Sequence, residues 1–168
     1  MERAAAYFSY PWDGARVLAA LQDTGNAILA QPPARHPAGA PADLLAEAPV
    51  WRVRLQLDAS GQVHTDFCRL NSTLAPVLIA LSAISFEASS SEFTRYKTTR
   101  RAHYEAFAPK DSRVFDTLLY NPQGELTECT RGNIAVKLNG QWLTPALRCG
   151  LLDGIGRCAL LQPDADGR

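Results

Sequence analysis

The chain lacks an excess of charge of either sign: Lys and Arg number 17, and so do Asp and Glu. That balance gives no argument for nucleic acid or a membrane surface as the main partner. Apolar runs long enough to cross a bilayer are missing. The opening Met1-Glu2-Arg3-Ala4 has no apolar core of a secretory signal, so a cytoplasmic protein is expected. Cysteine is scarce, with 4 in all. Cys68, Cys129, Cys149 and Cys158 form no CxxC pair, so free thiols are expected rather than a disulfide framework or a metal site.

What remains suits a packed soluble fold. Of 168 residues, 46% are apolar and 20% charged, enough for one ordinary domain or two small ones. The first residues, to about Leu21, read as helix broken near Tyr10-Pro11. Proline disfavours helix at the residue before it, and Asp13 can cap the second helical piece. Residues 31–42 are rich in Pro, Ala and Gly and predict a loop holding a solvated His36. From Val50 to Leu70 apolar residues alternate with Arg52, Arg54 and Gln56. Asp58-Ala59-Ser60-Gly61 is a turn signal, so a hairpin is expected. Arg52 and Arg54 share one strand face. They are either a solvated edge or a pair of guanidiniums for a carboxylate substrate.

Residues 76–84 form an apolar run that reads as a buried strand. The Ser-rich stretch at 85–92 suggests a boundary, giving lobes over 1–90 and 91–168. Residues 97–107 read as a helix and 114–120 as a strand. Asn121-Pro122-Gln123-Gly124 is a turn. Asn139-Gly140 marks a second hairpin. Asp153 is placed to cap a last helix from Gly154 to about Leu161, before a polar tail.

Three pieces of this order carry chemistry. Lys97 lies among Arg95, Arg100 and Arg101, and like charges favour the neutral amine, the form that attacks an aldehyde. Glu128 sits in a Thr-Glu-Cys-Thr turn and can face a protonated ring nitrogen. Gly154-Ile155-Gly156 opens a helix whose free N–H groups suit an anion, with Thr130 and Asn133 as further donors. Together these are the parts that pyridoxal phosphate needs. Each alone has a plainer reading: a solvated lysine, a polar turn residue, an ordinary helix start.

Taken jointly, Tyr96-Lys97-Thr98-Thr99-Arg100-Arg101-Ala102-His103-Tyr104, Asp116-Thr117-Leu118-Leu119-Tyr120-Asn121, Gly124-Glu125-Leu126-Thr127-Glu128, Arg131-Gly132-Asn133-Ile134, Trp142-Leu143-Thr144-Pro145 and Cys149-Gly150-Leu151-Leu152-Asp153-Gly154-Ile155-Gly156-Arg157 resemble the class IV aminotransferase-like, fold-type IV pyridoxal-phosphate enzymes. The nearest kind is aminodeoxychorismate lyase, above all the lyase half of fused para-aminobenzoate synthase components. The resemblance is dense from about Phe93 to Leu161. It implies an α/β (α+β), two-lobed fold with a small α+β N-terminal lobe, a mostly β C-terminal lobe and a cofactor cleft between them.

The resemblance also implies roles. Lys97 would hold the cofactor covalently and move the α-proton. Glu128 would pair the pyridinium nitrogen, and the backbone N–H groups of Ile155 and Gly156 would hold the phosphate. The implied reaction converts 4-amino-4-deoxychorismate to 4-aminobenzoate and pyruvate, in folate precursor synthesis. A branched-chain or D-amino acid transaminase and a non-catalytic remnant are the alternatives. A homodimer with a small-molecule substrate is expected. Against the family pattern the chain reads as shortened at both ends. Arg3 is a poor substitute for the phosphate-binding arginine of the missing opening strands, and Gly156 stands where a larger residue is usual.

Overall fold

The computed structural model describes residues 1–32, 49–70 and 76–162. The chain divides into two compact units, Met1–Thr73 and Leu74–Arg168, each mixed α/β.

In the first unit, α1 (Glu2–Tyr7) and α2 (Gly14–Leu29) flank the Pro11 break. Asp13 caps α2: its Oδ1 accepts from the N–H groups of Ala15 and Arg16 at 3.0 and 3.1 Å. The helix outruns the expected end near Leu21 and continues to Leu29. Strands β1 (Trp51–Leu57) and β2 (Val63–Arg69) pair antiparallel, with Leu57 opposite Val63. The turn is organised by the Asp58 carboxylate, which accepts from Ser60 and Gln62 backbone N–H groups. Gly61, at φ +80°, supplies the left-handed residue and lies against Pro11. Helix α2 packs on β2, and Arg16 Nη1 donates to the Gly61 carbonyl at 3.0 Å. Arg54 stands 3.7 Å from Asp66 across the ladder, both about half exposed. That pairing favours the solvated-face reading of Arg52 and Arg54. His36 and most of the expected loop lie outside the described residues, as does the tail beyond Gln162.

The second unit holds a three-stranded sheet of order β3-β4-β5. Strand β3 (Leu78–Leu81) runs parallel to β4 (Val114–Tyr120), and β5 (Leu126–Cys129) runs antiparallel to β4. Between β3 and β4 come a 3₁₀ turn (Glu87–Ser90) and the one-turn helices α3 (Glu92–Arg95) and α4 (Ala102–Glu105). After β5 come the hairpin β6 (Val136–Leu138) and β7 (Gln141–Leu143), a 3₁₀ turn (Leu147–Cys149) and α5 (Ile155–Leu161). Asn139 and Gly140 both take positive φ, as a type I′ turn requires. The core is Phe86, Tyr104 and Leu119. Phe86 stacks on Tyr104 at 5.3 Å and meets Phe107 edge-on at 5.5 Å.

Strand β3 pairs with β4 and so belongs to the second unit. Three further expectations change. The strand expected to be buried exposes Leu78, Ile79 and Leu81; among the described residues β3 is an edge strand. The helix expected over 97–107 is one turn, Ala102–Glu105. Tyr96 is extended, and the Thr98 hydroxyl takes the Arg100 N–H, which favours a turn over a helix. Finally, Asp153 does not cap α5. Gly154 is the N-cap, and the Asp153 carboxylate instead accepts from the Cys158 thiol at 3.0 Å.

Candidate active site

Strand β5 carries Glu128 into the interior, where it is 3% exposed. Its carboxylate is met on both oxygens. Oε1 accepts from the Tyr104 hydroxyl at 2.7 Å. Oε2 accepts from the Leu152 N–H at 3.1 Å and from Asn133 Nδ2 at 3.3 Å. Burial pushes the glutamic acid above its ordinary value. The Tyr104 and Leu152 hydrogen bonds and the charges of Arg101 and Lys97 oppose that push. Burial, with the carboxylate beside it, likewise raises Tyr104.

The supporting loops are each fixed by a polar side chain. Asp116, buried in β4, accepts from Thr117 N–H at 2.7 Å, Thr130 N–H at 3.1 Å, Thr130 Oγ1 at 2.6 Å and Arg131 N–H at 3.1 Å. It thereby holds the chain just past Glu128. Asn121 Oδ1 accepts from Gln123 and Glu125 N–H, and its Nδ2 donates to the Cys149 carbonyl at 3.2 Å. Gly150, at φ +89°, is where a side chain would overlap the Ser89 backbone. Its absence lets Leu151 and Leu152 approach. Asn133 Nδ2 also donates to the Leu152 carbonyl at 2.8 Å, and a Cβ at Gly154 would collide with Asn133 Oδ1.

Lys97 comes after α3, which Ser91 Oγ caps by accepting the Phe93 N–H at 3.2 Å. Lys97 is solvent-accessible. It lines a small, shallow pocket with Tyr96, Arg101, Tyr104, Glu128, Thr130 and Leu152. All these residues belong to the second unit. Arg101 donates from Nη2 to the Thr130 carbonyl and lies 4.5 Å over the Tyr104 ring. Arg100 lies instead over Phe93, at 5.0 Å.

The structure thus brings Lys97 and Glu128 to one pocket. Ile155 and Gly156 are not among its lining residues. Ile155 is 88% exposed, and the space around Gly156 is open. They connect to the pocket through Gly154, which touches Asn133. Their first-turn N–H groups have no acceptor within the helix. Tyr104, Arg101, Asp116 and Asn133 all lie within the motifs of the resemblance, but sequence reasoning gives a role only to Asn133, as an anion donor, and to Arg101, as a like charge beside Lys97 and not as a partner of Thr130 and Tyr104. No local signal reveals the contacts of Tyr104, Arg101 and Asp116, since their partners lie 14 to 29 residues away.

The acid and the amine at this pocket fit the ring nitrogen and the aldehyde of pyridoxal phosphate. A carboxylate has about four acceptor positions. Among the described residues Glu128 uses three on protein donors, which leaves one for a ring N–H. An amine and an arginine stand at the same pocket. Among the described residues no cluster of His, Cys, Asp or Glu is arranged to hold a metal ion.

Comparison with known proteins gives consistent matches. The model of the family described as amino-transferase class IV matches residues 43–166. A Schizosaccharomyces pombe protein named "Putative aminodeoxychorismate lyase" is 38% identical over 116 residues, covering 66% of this chain and 50% of that protein. The chain therefore spans about half the length of that curated relative. The crystal structure of a "Putative amino-acid aminotransferase" from Mesorhizobium loti matches with a TM-score of 0.72 at 25% identity, over 95% of this chain and 70% of that one. A "Putative 4-amino-4-deoxychorismate lyase" from Legionella pneumophila matches in fold, with a TM-score of 0.50 at 20% identity, over 61% of this chain and 40% of that one.

Proposed function

Since the chain belongs to the amino-transferase class IV family, whose members depend in general on pyridoxal phosphate, we propose that it contributes the lysine and the acid of such a site. We further propose a lyase that converts 4-amino-4-deoxychorismate to 4-aminobenzoate and pyruvate. The carrying observation is that Lys97 and Glu128 line one pocket, where three donors among the described residues hold the Glu128 carboxylate. The name and 38% identity of the yeast relative support the lyase over other members.

When bound, the cofactor supplies an aldehyde for a lysine amine and a protonated ring that draws electrons from the substrate's α-carbon. Lys97 would provide that amine and then carry the α-proton, acting as base and later as acid. Glu128, desolvated by burial and fixed by Tyr104, Asn133 and Leu152, would keep the ring nitrogen protonated. The N–H groups of Ile155 and Gly156 would receive the phosphate. Formation of an aromatic product supplies driving force, so positioning and proton transfer are the tasks left to these side chains.

The likeness in fold to the Mesorhizobium aminotransferase supports a second reading, amino transfer to a keto acid. The tests separate. Incubation with pyridoxal phosphate and then borohydride should leave a stable mass increment on Lys97 and remove a visible absorption band. In a separate, unreduced sample loaded with pyridoxal phosphate, pyruvate and 4-aminobenzoate should form from aminodeoxychorismate, with no amino transfer to a keto acid. Transfer without pyruvate release would favour the aminotransferase. Absence of both band and label would leave the non-catalytic reading.

A further inference from the structure

We propose that Arg101 is a positioning residue for Glu128. Its guanidinium, anchored on the Thr130 carbonyl and laid over the Tyr104 ring, keeps the Tyr104 hydroxyl aimed at Oε1 and sets a permanent positive charge beside the carboxylate. The catalytic importance of this rests on the pyridoxal-phosphate reading; the geometry does not.

Three observations carry the inference. First, Arg101 lies in the same pocket as Lys97 and Glu128. Second, both its ends are fixed. The backbone begins α4, which carries Tyr104, and the head is bonded past β5 at Thr130. Arg101 therefore ties the tyrosine's helix to the strand of its hydrogen-bond partner. Third, Arg101 is a cation of a different kind from Lys97. A lysine that takes and returns a proton changes its charge during turnover. A guanidinium does not deprotonate in proteins. Of the two cations acting on Glu128, Lys97 and Arg101, Arg101 alone keeps its charge throughout a reaction.

Other charged or titratable groups lie around Glu128; Arg131 lines the same pocket, with its guanidinium over the Phe115 ring. Lys97 comes from the segment after α3 and Tyr104 from α4. Cys129 adjoins on β5, and Asp116 comes from β4. Asp116 is the other nearby acid, and it is engaged by Thr117, Thr130 and Arg131. The lysine and the arginine are thus the cations opposing the burial of Glu128.

The test uses the full chain without cofactor, tracking the Glu128 carboxyl by carbon NMR, with E128Q identifying the resonance. In R101Q the midpoint should move up by about half a pH unit or more relative to wild type. R101K should restore part of that shift, because it returns the charge but neither the planar stacking nor the fixed fork. A purely structural role predicts equal midpoints in all three proteins, and that outcome overturns the inference. Should R101Q fail to fold, the comparison of R101K with wild type decides, with an unchanged midpoint again overturning it. With pyridoxal phosphate added, wild type should acquire the borohydride-stable label on Lys97, and R101Q should lose cofactor affinity most at low pH. A wild type that shows the Arg101-dependent midpoint but no label would remove the cofactor reading and leave the positioning role standing.

Discussion

At the scale of single residues, Glu128 sets the pH behaviour. Its acid is held above the ordinary 4.5 by burial, so the folded chain binds that proton more tightly than the unfolded chain. Stability from this group is full below the unfolded value. It is lost as pH rises through the raised folded value. Glu128→Gln removes the titration, although one amide cannot accept from all three donors. The melting temperature of wild type should therefore fall relative to E128Q as pH rises above about 4.5, and parallel curves would contradict it. Asp116 is the second key acid. Asp116→Ala strips an acceptor from four donors in a buried region. A loss of about 3 kcal/mol is expected in urea titration. Asp116→Asn should recover part of this, limited by an amide N–H facing that of Arg131.

At the scale of elements, what was legible in the sequence was local. Asp13 caps its helix as its position after Pro11 predicts, and Asp13→Ala should cost about 1 kcal/mol in a thermal melt. Asn139-Gly140 turns the β6–β7 hairpin. Gly140→Ala, forced to a φ of +84°, should destabilise by about 1 kcal/mol, read in the same assay. The failures were also local signals, overruled by a competing neighbour or by the sheet. Asp153 is a plausible cap by position, yet the thiol of Cys158 takes its carboxylate. Residues 97–107 have helical composition, but the Thr98 turn delays the helix to Ala102. The apolar run at 76–84 reads as buried because its composition cannot reveal that, among the described residues, β3 lies at the sheet's edge.

At the scale of the whole molecule, the parts of the site were legible in the residues, but their joint reading leaned on resemblance. No spacing rule puts Lys97 opposite Glu128; a parallel crossover and an antiparallel return do. Thiol chemistry reports on that architecture without any ligand. Cys68 is exposed, while Cys129 and Cys149 are buried. Burial, then Asp116 and Glu128, pushes the Cys129 thiol up to about 11. Iodoacetamide should modify Cys68 in the folded protein and reach Cys129 and Cys149 only after unfolding, as mass spectrometry would resolve. A homodimer remains our proposal for its assembly, and light scattering that finds one chain per particle would oppose it.

The contact between Asn133 and Gly154 has an evolutionary consequence. The asparagine amide serves Glu128 and Leu152 from one side chain, and it leaves no room for a methyl at the glycine. Variation at these two positions should be strongly epistatic. A library that randomises position 154 alone should return almost nothing but glycine, whereas one that also shortens residue 133 opens that position and detaches the acid from its support.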